Sequence, residues 1–181
     1  MNRLFISLNI PNNVINNILE IRNSIWNSSE LRWEPSSKLH LTLKFIGDVD
    51  QNKTDLLADR LKLINDSKSI NCSIEKFGFF YRDDIPTILW AGLVIDDKIL
   101  QITKSIDEVL SEFSIESDKK KFKPHITLLR LRKDPGINFV NKFKNFSFEP
   151  ILFQSNSITL YKSVLEQSGS KYYEIKKYHL N

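Results

Sequence analysis

The chain has 181 residues, with 26 basic and 22 acidic side chains and a net charge of +4. Hydrophobic residues make up 41% and charged ones 27%, which suits one globular domain with a buried core and argues against disordered, collagen-like and low-complexity classes. No apolar run approaches the roughly 20 residues of a membrane span, the N-terminus lacks a signal-peptide pattern, and a lone cysteine, Cys72, leaves no internal disulfide, so a reducing cytoplasm is the expected location.

Residues 4–10 read as a strand, closed by Pro11, which cannot donate to a sheet ladder. Val14, Ile15, Ile18, Leu19 and Ile25 then fall on one helical face. Trp33 and Pro35 lead into a strand over 39–46, which alternates in steps of two and stops at Gly47-Asp48. A second helix is predicted over 52–64 and a strand over 70–77. Residues 87–94 read as the next strand. Asp96 or Asp97 caps a helix running to about Phe113, with Ile99, Ile102, Ile106, Val109 and Leu110 inward. A basic linker over 119–123 and Pro124 precede a strand over 125–131. A short helix over 137–143 and strands over 148–154, 157–165 and 172–178 complete the chain.

The second half repeats the first: strand, helix, polar turn, a His-x-Thr strand, helix, further strands. We therefore expect a single α+β domain spanning 1–181. It would have two lobes related by a pseudo-twofold, each a mostly antiparallel sheet with helices on its outer face, and a central groove between them.

The informative feature is the pair His40-Leu41-Thr42-Leu43 and His125-Ile126-Thr127-Leu128, 85 residues apart. In a strand, residues i and i+2 share a face. His40 therefore points with Thr42, and His125 with Thr127, while Leu41, Leu43, Ile126 and Leu128 turn into the core. Histidine titrates close to neutral pH. Two of them, one protonated and one neutral, can deliver a proton to one side of a phosphorus and take one from the other. Threonine hydroxyls beside them can donate to the non-bridging phosphoryl oxygens. No cofactor is called for. The motif strands also lack the nearby Asp, Glu or Cys that most divalent metal sites use, so no metal is expected.

With these residues in view, the chain resembles the 2H phosphoesterases, named for their two His-x-Thr/Ser-x motifs. Within them it is most similar to the RNA 2′,3′-cyclic phosphodiesterases, once called 2′-5′ RNA ligases. The resemblance runs through Arg3-Leu4-Phe5-Ile6, Leu31-Arg32-Trp33, the first motif with Lys44-Phe45-Ile46-Gly47, Leu89-Trp90, Phe122-Lys123-Pro124 with the second motif and Arg130, Leu160-Tyr161-Lys162-Ser163, and Gly169-Ser170-Lys171-Tyr172. It implies the bilobal fold and metal-free hydrolysis of an RNA 2′,3′-cyclic phosphate end to a 2′-phosphomonoester. It also implies His40 as proton donor, His125 as proton acceptor, and Thr42 and Thr127 on the phosphoryl oxygens. The two motifs are too alike for the residues themselves to say which histidine is the acid. A monomer is expected.

Other candidates carry two readings each. Arg130, five residues past His125, falls on the opposite face of a straight strand; a twist or bulge would bring it to the phosphate, which its planar fork suits, and otherwise it is a surface ion pair. Phe45 is either a base-stacking ring or, by alternation with Leu41 and Leu43, core. Trp33 and Tyr161 are stacking platforms or packing. The 119–123 run is a solvated loop or an attractor of RNA backbone. Ser163 serves the groove or a turn, His179 reads as surface, and Cys72 reads as a buried strand residue. The acidic Arg82-Asp83-Asp84 stretch departs from the resembled family, which has a more basic loop there. The rival functions are a 2H enzyme acting on another cyclic or 2′-5′-linked nucleotide, including 2′-5′ ligation, and a non-catalytic RNA-end-binding module.

Overall fold

In the computed structural model the described residues are 1–116, 122–167 and 169–181. Strand β1 (Asn2–Leu8) is followed by Pro11 and helix α1 (Asn12–Ile25), which buries Val14, Ile15, Ile18 and Ile25. A 3-10 turn at Ser36–Lys38 leads into β2 (Leu41–Val49). The predicted second helix is α-helical only over α2 (Gln51–Arg60); it tightens to a 3-10 segment at Leu61–Asp66. Then come β3 (Ile70–Arg82), β4 (Ile85–Ile95), α3 (Lys98–Glu112), β5 (His125–Arg130), α4 (Ile137–Lys144), β6 (Ile151–Ser155), β7 (Ser157–Glu166) and β8 (Gly169–His179). The Asp96 carboxylate accepts a hydrogen bond from the Lys98 N–H at 3.1 Å, so it satisfies one of the free donors at the start of α3.

Strand β3 runs five residues past its predicted end, because a hairpin joins it to β4. Asp83 and Asp84 form the two-residue turn, with φ of 50° and 61°. Positive φ at both central positions matches the right-handed twist of the flanking strands, and aspartate tolerates that region better than most residues. The acidic stretch is thus explained by turn chemistry.

Among the described residues, eight strands form one sheet in the order β6-β3-β4-β5-β2-β1-β7-β8, and every neighbouring pair is antiparallel. Two four-stranded lobes, β8-β7-β1-β2 and β5-β4-β3-β6, meet where Leu41 pairs with Ile126. The two β-α-β-α units of the sequence pattern are present, but the lobes are not the two halves of the chain. Strand β3 follows the first unit yet pairs with β4 of the second, as its tight turn requires. Strands β7 and β8 follow the second unit yet pair on β1 of the first. Each lobe therefore includes strands from the other half, β7 and β8 in one and β3 in the other.

Leu4, Ile6 and Leu8 alternate into one continuous apolar core that also takes in Leu57, Ile106, Leu128 and Phe143. The fully buried Tyr178 of β8 donates its hydroxyl hydrogen to the Ala58 carbonyl of α2 at 2.9 Å. One charge also enters the core. Ser7 pairs with Thr42 but Ile6 pairs with Lys44, so Leu43 is an extra residue in β2. That bulge reverses the alternation and turns Lys44 inward, where it is 8% exposed. Its ammonium meets Asp107 of α3 at 2.7 Å.

Removing Asp107's charge strands the Lys44 ammonium. Asp107→Asn is expected to lower unfolding stability by about 2 kcal/mol, read from urea midpoints. Replacing both partners together by Leu and Asn should recover part of that loss, because no buried charge then lacks its partner.

Candidate active site

Both motif histidines stand at the junction of the lobes, on the face of the sheet opposite the core. His40 immediately precedes β2 and His125 is the first residue of β5. Because Leu41 and Ile126 are partners in an antiparallel pair, His40 lies across from Thr127 and His125 across from Thr42. The histidines are then diagonal neighbours, about 7–8 Å apart at the backbone, a span two imidazoles can close. His40, Thr42, His125 and Thr127 are all half-buried, and the alternate residues Leu41, Leu43, Ile126 and Leu128 are core.

Each ring is oriented in the same way. His40 Nδ1 is 2.7 Å from the Lys38 carbonyl, and His125 Nδ1 is 2.7 Å from the Lys123 carbonyl. A carbonyl only accepts, so Nδ1 carries the proton and donates it. In the neutral ring Nε2 then keeps its lone pair as an acceptor; in the charged ring it becomes the donor. Aromatic neighbours fix the ring planes. Phe5 lies 5.1 Å and Tyr172 5.3 Å from His40, the latter edge-on, while Phe80 packs edge-on against His125 at 4.8 Å.

The two halves reuse one device beyond the motifs. In β5, Trp90 pairs with Thr127 and Leu89 with Leu129, leaving Leu128 as a bulge. Leu128 and Leu129 are both buried, and Arg130 emerges on the histidine face. The Leu43 bulge does the same for Phe45, which pairs with Phe5, is 51% exposed, and carries the Arg3 guanidinium 5.1 Å over its ring. Core packing of Phe45 is thus overturned, because the bulge cancels the alternation on which it rested. Five residues past each histidine, one lobe presents an aromatic ring and the other a guanidinium.

Burial is the main influence on both imidazoles and pulls each below its ordinary value of 6.5. The carbonyl hydrogen bonds oppose that pull, and the Arg130 charge adds to it at both rings. His125 also lowers His40, so the two rings and Arg130 share one electrostatic neighbourhood. Arg130 Nε is 3.3 Å from a carboxylate oxygen of Glu34, whose own N–H donates to the Leu128 carbonyl. The guanidinium is thus held beside the imidazoles by an ion pair, with its side chain still largely exposed. Glu34 carried no signal in the sequence; its role depends on the Trp33–Leu129 bridge that lays this segment beside β5.

Beside His125 a recess of about 290 Å³ is walled by Phe80, Trp90 and Phe122, with Lys76 and Lys123 also lining it. The Trp90 ring lies flat on Gly78 and Gly92, where a Cβ would stand 2.3 Å and 2.8 Å from it. Those two glycines let the indole rest on the sheet. Phe80 was missed by sequence reading, since nothing there paired it with the second motif across the β3–β4 hairpin.

The remaining candidates separate. Tyr161 stacks on Phe5 at 5.3 Å, close to His40, so it supports the ring assembly. Ser163 pairs with Arg3 on the same strand face as Phe5. Trp33 packs near Phe139 and Phe143 under the Arg22 guanidinium, away from the imidazoles. His179 is exposed, and Cys72 is buried, its thiol pushed up to about 12 chiefly by desolvation. Of the basic linker, Lys119, Lys120 and Lys121 lie outside the described residues. Among the described residues, no three His, Cys, Asp or Glu side chains cluster as a metal site, and no helix is long and apolar enough to cross a membrane.

A family model described as the 2′-5′ RNA ligase superfamily matches residues 11–166. An RNA 2′,3′-cyclic phosphodiesterase of Methanocaldococcus jannaschii is 28% identical over 180 residues, covering 97% of this chain and 99% of that protein. One from Thermotoga maritima is 28% identical over 141 residues, 77% and 74% of the two chains. Among solved structures, E. coli LigT complexed with 3′-AMP superposes with a TM-score of 0.77 at 21% identity, covering 99% and 98% of the chains. The likeness to the solved structure establishes the fold.

Depressed histidines leave a signature in stability. Between their folded values and 6.5 the unfolded chain binds more protons than the native one, so stability rises with pH there. The contribution should be complete above about 6.5 and fade as pH falls below it. Imidazole NMR titrations should give midpoints under 6.5 for both rings, and His40→Asn with His125→Asn should flatten the urea midpoint below that pH. Midpoints at or above 6.5 would contradict the burial argument.

Proposed function

The chain belongs to the 2′-5′ RNA ligase superfamily, and on that footing we propose that it hydrolyses RNA 2′,3′-cyclic phosphate ends to 2′-phosphomonoesters. The observation that carries this reading is the matched pair of imidazoles, each with Nδ1 tied to a carbonyl and Nε2 left for chemistry, standing where two lobes meet. The names of the relatives support the substrate, since they are RNA 2′,3′-cyclic phosphodiesterases over nearly the whole chain.

In this reading the cyclic phosphate sits between the rings. Neutral His125 takes a proton from water through Nε2 as the water oxygen bonds to phosphorus. Protonated His40 gives its Nε2 proton to the 3′ oxygen as the bond from phosphorus to that oxygen breaks. The phosphate stays on the 2′ oxygen, and the two histidines exchange protonation states, to be reset through solvent. The assignment of donor and acceptor follows the resemblance; the geometry treats the rings alike. Thr42 and Thr127 donate to the non-bridging oxygens, and Arg130 offsets the charge that develops there. Phe45 and the aromatic recess beside His125 offer stacking faces for bases. A metal or cofactor has no part in these steps. The same reading takes residues 1–181 as one bilobal domain, acting as a monomer in the cytoplasm.

His40→Ala or His125→Ala should each lower kcat on a cyclic-phosphate-ended oligonucleotide by at least 100-fold, with circular dichroism unchanged. Wild-type rates should be insensitive to a chelator, and the product should be a 2′-phosphate. A His40→Ala enzyme at full rate would refute the donor role. Tight binding without turnover by the wild type would favour the end-binding module, and turnover confined to small cyclic or 2′-5′-linked nucleotides would favour the rival substrates.

A further inference from the structure

The histidine pair has a second, chemically different recess on its other side. It measures about 360 Å³ and is lined by Ser37, Lys38, Ser170, Lys171, Tyr172 and Tyr173. Its walls come from the 3-10 turn before β2 and the start of β8. Two links bind it to His40. The Lys38 carbonyl accepts the imidazole's Nδ1 hydrogen bond, and the Tyr172 ring stands edge-on against the imidazole. A single aromatic ring therefore separates the recess from the reacting centre.

The side chains of this recess are donors. Lys38 makes no ion pair with a described residue, and its ammonium lies 3.7 Å from where a Cβ on Gly169 would stand, so it sits against the β7–β8 turn. Lys171 pairs with Glu166 of the same hairpin at 2.8 Å, with Lys171 more than half exposed. Exposed pairs of that kind are weak and yield to a competing anion. The two ammonium groups and the Ser37 and Ser170 hydroxyls suit a phosphate oxyanion, whereas the recess beside His125, where Glu75 offsets one of two lysines and three aromatic rings form the walls, suits a base.

We propose that this recess binds a second phosphate of the RNA: the internal phosphodiester that joins the terminal, cyclic-phosphate-bearing nucleotide to its neighbour. It makes the site selective for polynucleotide ends over single nucleotides. This deepens, and rests on, the function proposed above. Phosphate contacts of this kind position a nucleic acid without reading its sequence, so the selectivity is for chain length and not for base.

The test compares kcat/KM for three substrates with the same adenosine 2′,3′-cyclic phosphate end: the nucleoside, its 5′-phosphorylated form, and a dinucleotide. The wild type should prefer the dinucleotide over the nucleoside by about tenfold or more, and Lys38→Ala with Lys171→Ala should bring that ratio close to one. Lys38→Arg with Lys171→Arg should keep most of it. A wild-type ratio near one, or a ratio preserved in the alanine variant, overturns the proposal. A gain confined to the 5′-phosphorylated nucleoside overturns the internal diester as the ligand. Failure of the wild type on all three overturns the proposed function itself, and this subsite with it.

Discussion

The site depends on a single backbone pairing, Leu41 with Ile126. Edge strands β2 and β5 of the two lobes meet there, one residue after each histidine. Both partners are fully buried, so the contact is anchored from the core side while the histidines look out on the other. A shift of one residue in either strand would turn the imidazole inward and a leucine or isoleucine outward, because the side-chain period is two. Apolar burial on one face thus holds the polar geometry of the other.

Around that pairing the two lobes repeat each other closely. Each sets its histidine with a carbonyl two residues back, backs it with aromatic rings, and places a bulge just after the threonine. The repetition stops at the fifth residue after the histidine, where one lobe has Phe45 and the other Arg130. It stops again at the flanks, where both recesses have two lysines but only the one beside His125 adds Glu75 and the Phe80, Trp90 and Phe122 rings. A symmetric centre with unlike sides suits a symmetric phosphoryl group carried on an asymmetric chain. The bulge in β2 has a structural cost, since it turns Lys44 into the core, and Asp107 offsets that charge from α3.

Interleaving of the lobes contributes in its own way. Strand β8 brings Tyr172 to His40 from the far end of the chain, and β3 brings Phe80 to His125 from the other half. Each imidazole is therefore packed by residues distant in sequence, and the site requires both halves of the polypeptide to be folded together.

The amino-acid order alone determined the local terms: the strand and helix positions, the outward pairing of His40 with Thr42 and His125 with Thr127, and the burial of Leu41, Ile126 and Cys72. These follow from periods of 2.0 and 3.6, which are properties of the local backbone. The sequence also carried the doubled β-α-β-α pattern. It did not reveal the sharing of strands between lobes or the place of Glu34 beside Arg130, and it left the outward turn of Phe45 and Arg130 as one of two readings. A bulge adds one residue opposite a partner strand, so it exists only once two strands are paired, and it inverts every alternation drawn past it. Tertiary structure decided those points because each is a relation between segments that the chain brings together only on folding.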